Sequence, residues 1–104
     1  MPTNRNPSPA MKIVGSRIAA ARHEKGISQE DAAVLADMHV TSYGVLERGF
    51  GNPSLTTLVR IAYALGVDPG TLITGLTKTD IPGAERMLTA SEFVEERKRR
   101  SQQR

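Results

Sequence analysis

The stretch from Ile27 to Gly49 constrains the fold more than any other part of the chain. It holds two short helical segments with only Asp37-Met38-His39 between them. Ser28 stands three residues before Asp31. That spacing makes a capping-box variant, in which the serine oxygen accepts the Asp31 backbone N–H and the carboxylate reaches back. The spacing predicts a helix over Gln29–Ala36, a turn at Asp37-Met38, His39 as the cap of the next helix, and that helix over Val40–Glu47. Ala33 is small enough for a second helix to cross closely over it. A tight turn between two short helices fixes their angle and leaves one of them at the surface.

The neighbouring segments extend the same pattern. Val14, Ile18, Ala21 and Arg22 recur at helical spacing from Met11, and Gly26 ends that run as a C-cap. After a glycine-rich loop from Gly49 to Pro53, Ser54 caps a fourth helix. Leu55, Leu58, Ile61, Ala62 and Leu65 are its expected apolar stripe, and Gly66 is its end. Asp68-Pro69 opens a short fifth helix, since proline suits the first helical position. That helix is expected to carry Leu72, Ile73 and Leu76. No strand pattern interrupts the series. The expected fold is all-α: a compact five-helix domain with a C-terminal helical extension.

The flanks divide the chain. Residues 1–11 form an expected disordered arm, rich in proline and asparagine through Ala10. Residues 12–76 form the helical domain. Residues 77–104 begin with a linker, Thr77 to Gly83. A second capping box, Thr89-Ala90-Ser91-Glu92, then starts an amphipathic helix that ends in Arg97-Lys98-Arg99-Arg100. Its acidic residues come early and its basic residues late, as the helix dipole favours.

Composition excludes several classes. The 104 residues contain no cysteine, so neither a disulfide framework nor a thiolate metal site is available. Only His23 and His39 could offer imidazole ligands, and no metal site or cofactor is expected. No apolar run approaches the ~20 residues of a membrane span, and no signal-peptide pattern is present; a cytoplasmic location is the expectation. Formal net charge is +3, unevenly placed: seven Lys/Arg against six Asp/Glu through Leu76, then seven against five. The body is near neutral, so any polyanion would have to be met by a local basic face. No nucleophile–base set, paired carboxylates or phosphate loop can be assembled, and no enzymatic activity is expected.

Residues Val14 to Ile73 resemble the Xre-type helix-turn-helix family, the phage repressor and Cro-like DNA-binding domains. Gly15-Ser16-Arg17-Ile18 with Arg22 is similar to that family's first helix, and Ile27-Ser28-Gln29-Glu30-Asp31-Ala32-Ala33 to its second. Leu46-Glu47-Arg48-Gly49, Asn52-Pro53-Ser54-Leu55-Thr56-Thr57-Leu58 and Ile61-Ala62-Tyr63-Ala64-Leu65-Gly66-Val67 are similar to its closing segments. Within the family, the Met38-His39 start and Asp68-Pro69 are most similar to restriction–modification controller proteins and small stand-alone repressors. Together the motifs are specific, whereas each alone would be weak.

The resemblance implies a homodimer on a palindromic operator, with the third helix entering the groove. It implies that Gln29 touches phosphate or a base, that Val40, Thr41 and Val45 face bases, and that Arg48, Asn52 and the backbone near Ser54 touch phosphate. Ser28 and Ser42 join them as candidate DNA contacts. Arg22 and Glu47 match a partly buried salt bridge of the family. Leu72, Ile73 and Leu76 are the candidate dimer interface, since three branched apolar residues exceed what one side of so short a helix can cover.

Three residues depart from the family pattern. Asp37 occupies a left-handed turn position that usually holds glycine, and aspartate tolerates it. Tyr43 replaces a β-branched core residue and is expected in the core with its hydroxyl at the rim. Gly44 and Val45 replace polar or basic residues that read bases. A face of Val40, Thr41, Gly44 and Val45 suits thymine methyls and close backbone approach more than guanine contacts, with more specificity left to DNA shape.

The expected function is therefore that of a sequence-specific DNA-binding transcriptional regulator, a repressor or autoregulator, whose partner is double-stranded DNA. The alternative is an antitoxin-type interaction protein whose segment 77–104 binds a partner protein. Met87, Leu88, Phe93 and Val94 are the residues that support it.

Overall fold

The computed structural model describes residues 8–103. Six α-helices follow one another: α1 Pro9–Lys25, α2 Gln29–Leu35, α3 Val40–Glu47, α4 Leu55–Leu65, α5 Gly70–Ile73 and α6 Ala90–Gln102. There is no strand among the described residues. The expected all-α architecture with a C-terminal helix is what forms.

The first helix begins earlier than its apolar pattern. Ser8 Oγ accepts the Met11 backbone N–H at 3.0 Å, and Pro9 fills the first turn. Proline lacks the N–H that would be unpaired there. The expected arm of residues 1–11 is thus too long: Pro9 to Met11 are helical and Met11 is buried. Its first seven residues lie outside the described ones. Gly26, at φ 71°, ends α1 in the left-handed conformation that glycine adopts without a Cβ penalty.

The core is built where α1 through α5 converge. Met11, Val14 and Ile18 of α1 meet Ala32, Ala33 and Ala36, Tyr43 and Leu46, Ile61, Ala62 and Leu65, and Leu72. Small residues on α2 and at Gly15 allow the helices to approach closely. A Cβ on Gly15 would stand 2.2 Å from the Leu46 carbonyl oxygen, so the α1–α3 crossing requires glycine.

Arg17 fixes α5. Its Nη1 donates to the carbonyl oxygens of Thr74 at 2.6 Å, Leu72 at 3.2 Å and Thr71 at 3.4 Å. These are carbonyls at the end of a helix of one turn, whose own bonds cannot satisfy them. Pro69 takes helical geometry just ahead of α5, one residue earlier than expected, and Asp68 Oδ1 accepts the Gly70 N–H at 2.8 Å.

The segment expected as a plain linker is structured. Lys78–Asp80 and Ala84–Arg86 form single 3₁₀ turns. Asp80 accepts the Thr77 N–H at 2.9 Å, Lys78 Nζ donates to the Met87 carbonyl at 2.7 Å, and Ala84 is buried. Beyond it, the Thr89–Glu92 capping box forms as expected and α6 leaves none of its residues buried. The molecule is accordingly elongated, 63 × 32 × 19 Å, with a radius of gyration of 17.9 Å. A fully compact chain of this length would have about 13 Å.

Candidate nucleic-acid interface

Helices α2 and α3 are joined as the sequence predicts. Ser28 Oγ accepts the Asp31 N–H at 3.0 Å and Asp31 Oδ2 accepts the Ser28 N–H at 3.3 Å. Asp37 adopts φ 58°, the left-handed turn position anticipated for it. The Met38 N–H then donates to the Ala33 carbonyl at 2.8 Å and closes the turn. His39 occupies the N-cap position of α3, but its side chain makes no capping bond. The helix start is set by backbone geometry, which corrects the expected capping role of the imidazole.

One face of α3 packs inward and the other meets solvent. Tyr43, Gly44 and Leu46 are buried, Val45 is half-buried, and Val40, Thr41 and Ser42 are exposed. Arg48, Asn52, Ser54 and Ser28 are exposed as well. Gln29 and Arg48 meet over α3: Gln29 Oε1 and Arg48 Nη1 each lie 3.3 Å from the point a Cβ on Gly44 would occupy. Gly44 thus lies beneath these two polar ends. Asn52 lies elsewhere, in a shallow cleft shared with Ser8, Ala10 and the segment Asp80 to Pro82. Ser28 and Ser54 spend their hydroxyl oxygens on capping, the latter accepting the Thr57 N–H at 3.1 Å.

A polar network behind this face holds it in place. Arg22 Nε donates to Glu47 Oε2 at 2.7 Å and Nη2 to Glu47 Oε1 at 3.1 Å, a two-pronged pair. The side chains are 11% and 5% exposed, so the expected partly buried salt bridge is present. Arg22 Nη1 also donates to the Ile27 carbonyl at 3.0 Å. Gln29 Nε2 donates to Glu47 Oε1 at 2.9 Å. An ionised carboxylate can only accept, so it takes the amide nitrogen and leaves Gln29 Oε1 facing outward over Gly44.

Burial alone would raise the Glu47 pKa, but the hydrogen bonds from Arg22 and Gln29 and the nearby Tyr43 hydroxyl outweigh it and hold the carboxyl below its ordinary value. Arg22 is raised by its bonds to Glu47. Tyr43 is fully buried rather than having its hydroxyl at the rim, and that hydroxyl finds no hydrogen-bond partner of good geometry. Burial, with the Glu47 carboxylate beside it, pushes its pKa well up.

The expected dimer residues do not form one patch. Leu72 is 2% exposed and completes the core of its own chain, so it has no surface to offer a second copy. Leu76 lies beyond α5 and packs partly against the same core, and only Ile73 is exposed. A different apolar row stands on α4: Leu55 is 74%, Val59 43% and Tyr63 86% exposed. Leu55 was expected inside. The signal was in the sequence, because residues four apart share one face of a helix, and α4 is apolar on more than one face.

Among the described residues, no group of His, Cys, Asp and Glu gathers as a metal site. No helix there is long and apolar enough to cross a membrane.

Two short helices held at a fixed angle, with the second exposed along one edge, define a helix-turn-helix DNA-binding domain. The helix-turn-helix family profile matches residues 18–72. The chain belongs to this family, the Xre-like group of DNA-binding transcriptional regulators. It is 40% identical over 68 residues to an uncharacterized HTH-type transcriptional regulator, y4dJ, of Sinorhizobium fredii, a match spanning 65% of this chain and 88% of that one. It resembles the restriction-modification controller protein C.AhdI from Aeromonas hydrophila at 35% identity and a TM-score of 0.58, over 60% of this chain and 94% of that one. A chain of the SinR protein/SinI protein complex matches 86% of this chain and 96% of its own, with a TM-score of 0.58. At 23% identity, that likeness concerns the fold alone.

Proposed function

We propose that the chain is a sequence-specific repressor or autoregulator that binds a two-fold symmetric operator as a homodimer. The observation that carries this reading is the exposed edge of α3, Val40 to Ser42, with Gln29 and Arg48 beside it and the Arg22–Glu47 pair behind it. In this reading α3 enters the major groove. Val40, Thr41 and Val45 touch base edges, chiefly thymine methyls, while Ser28, Ser42, Arg48, Asn52 and the backbone at Ser54 take phosphates. Gln29, with its oxygen outward, suits a base amino group better than a phosphate. Residues 9–76 are the DNA-binding body, and the protein works in the cytoplasm.

The second copy docks on the α4 row Leu55, Val59 and Tyr63 together with Ile73. Exposed apolar side chains in such a row favour a self-complementary contact. Likeness to a restriction-modification controller protein supports a controlling role.

Selection of binding sites from random duplex DNA tests the reading. The expected result is a palindrome whose half-sites are centred about 34 Å apart, one helical turn. Affinity should also fall steeply with salt as counterions are released. Failure to enrich any sequence would refute it. The alternative, a protein partner for residues 77–104, is favoured only by the accessibility of α6. It requires that a chain shortened at Leu76 keep full operator binding while losing a co-purifying protein.

A further inference from the structure

Helix α6 buries none of its residues, and its apolar side chains Phe93 and Val94 are 53% and 36% exposed. A helix of this length is marginal in water when nothing packs on it. Its charges are segregated. Glu92, Glu95 and Glu96 occupy the first half, and Arg97, Lys98, Arg99 and Arg100 the second. Glu92 is engaged in the cap, its carboxylate accepting the Thr89 N–H at 2.8 Å. Glu96 pairs with Arg99 and Arg100 within the helix, and Arg97 lies over the Phe93 ring, 5.5 Å from its centre. All of these contacts are at the surface, where such pairs exchange readily for others.

A helix with this charge order is its own complement when turned end for end. We propose that α6 is a self-association surface: it pairs antiparallel with α6 of a second copy, across a two-fold axis near its middle. A parallel arrangement would stack carboxylates on carboxylates and guanidinium groups on guanidinium groups. The antiparallel one sets each acidic half against the other copy's basic half, and two-fold symmetry makes the contact twice. This inference rests on the homodimer reading and adds a second contact to it, separate from the α4 row.

Charge exchange in the full chain tests the pairing. Glu95→Lys/Glu96→Lys makes α6 basic from Arg97 back to its middle, and Arg97→Glu/Arg99→Glu/Arg100→Glu makes it largely acidic. All five positions lie outside the core, so the thermal midpoint of the body should stay that of the parent and serves as the folding control. By sedimentation in about 0.1 M salt, each variant alone should dimerise about ten-fold more weakly than the parent, and an equimolar mixture should recover parental affinity.

Orientation is read separately. The chain has no cysteine. Ser91→Cys mixed with Gln102→Cys should form a disulfide-linked dimer faster than either variant alone. Dimers indifferent to all these changes would overturn this inference and leave the homodimer reading intact. Fastest linkage of Ser91→Cys to itself would overturn it too, as the mark of a parallel pair. A parent chain that stays monomeric would refute both readings together.

Discussion

Replacing Arg22 with alanine removes two hydrogen bonds to Glu47 and one to the Ile27 carbonyl, besides an exposed contact with His23. It leaves a carboxylate 5% exposed with one neutral donor, Gln29, and a tyrosine hydroxyl that lacks good geometry. Breaking one side of a buried pair costs about 3–5 kcal/mol, and the remaining Gln29 bond argues for the lower end, about 3 kcal/mol. For a domain this small, that is a fall of about 15 °C in the melting temperature. The loss should depend on pH. In the parent the folded Glu47 pKa lies below its unfolded value, so its contribution is fully present above the unfolded carboxylate pKa. That contribution fades as pH falls through the folded value. Without Arg22 the effect of burial dominates and Glu47 protonates more readily, so the gap between variant and parent should narrow from neutral pH toward about pH 4. Thermal and urea denaturation followed by circular dichroism measures both. A second variant, Arg22→Met/Glu47→Leu, should lose much less than Arg22→Ala, because no orphaned charge remains. A midpoint within about 2 °C of the parent, or a gap constant across pH, would refute the claim that the pair is buried and coupled.

Gly15→Ala should destabilise by about 3 kcal/mol, because its Cβ would collide with the Leu46 carbonyl. Helix propensity alone would make the same change favourable by about 1 kcal/mol, so the sign of the change in urea midpoint decides between them. Arg17→Ala should cost about 1–2 kcal/mol, with amide exchange accelerated in residues 70–76 ahead of the core, because α5 loses the donor to its last carbonyls. Arg48→Ala should weaken binding to specific and random DNA alike and reduce the log–log salt slope by about 1, as loss of one phosphate contact does. An unchanged slope would remove Arg48 from the interface.

Element boundaries were legible where local chemistry fixes them. The Ser28–Asp31 and Thr89–Glu92 boxes and the glycine ends at Gly26 and Gly66 all form as read. Each depends on residues within a few positions of one another. What escaped depends on distance. Nothing near Leu72 in sequence says that the core will take it, because that follows from where α5 is anchored. The anchor, Arg17, lies 55 residues from Leu72. Tyr43 is read from the sequence as a core residue with its hydroxyl at the rim, because a polar end suggests water, yet the whole side chain is buried, hydroxyl included. The Arg22–Glu47 pair was legible only through family resemblance, since the two residues are 25 positions apart and neither carries a local signal.

The position of Glu47 joins stability to recognition. It sits in the last turn of α3, and its two oxygens are held by Arg22 from α1 and Gln29 from the first turn of α2. One carboxylate therefore fixes both the seating of α3 against the scaffold and the outward face of the Gln29 amide. A face as poor in donors as Val40, Thr41 and Val45 depends on placement more than on bond count, because apolar contacts lose most of their discrimination when the helix can tilt. It follows that Glu47→Gln, which keeps the shape but turns an ion pair into neutral contacts, should relax sequence preference at the bases opposite Gln29 while leaving affinity for random DNA nearly intact. Arg48→Ala should do the reverse. Parallel site selections with the two variants would separate them, and equal loss of specific and random binding in Glu47→Gln would show that the carboxylate only holds the fold together.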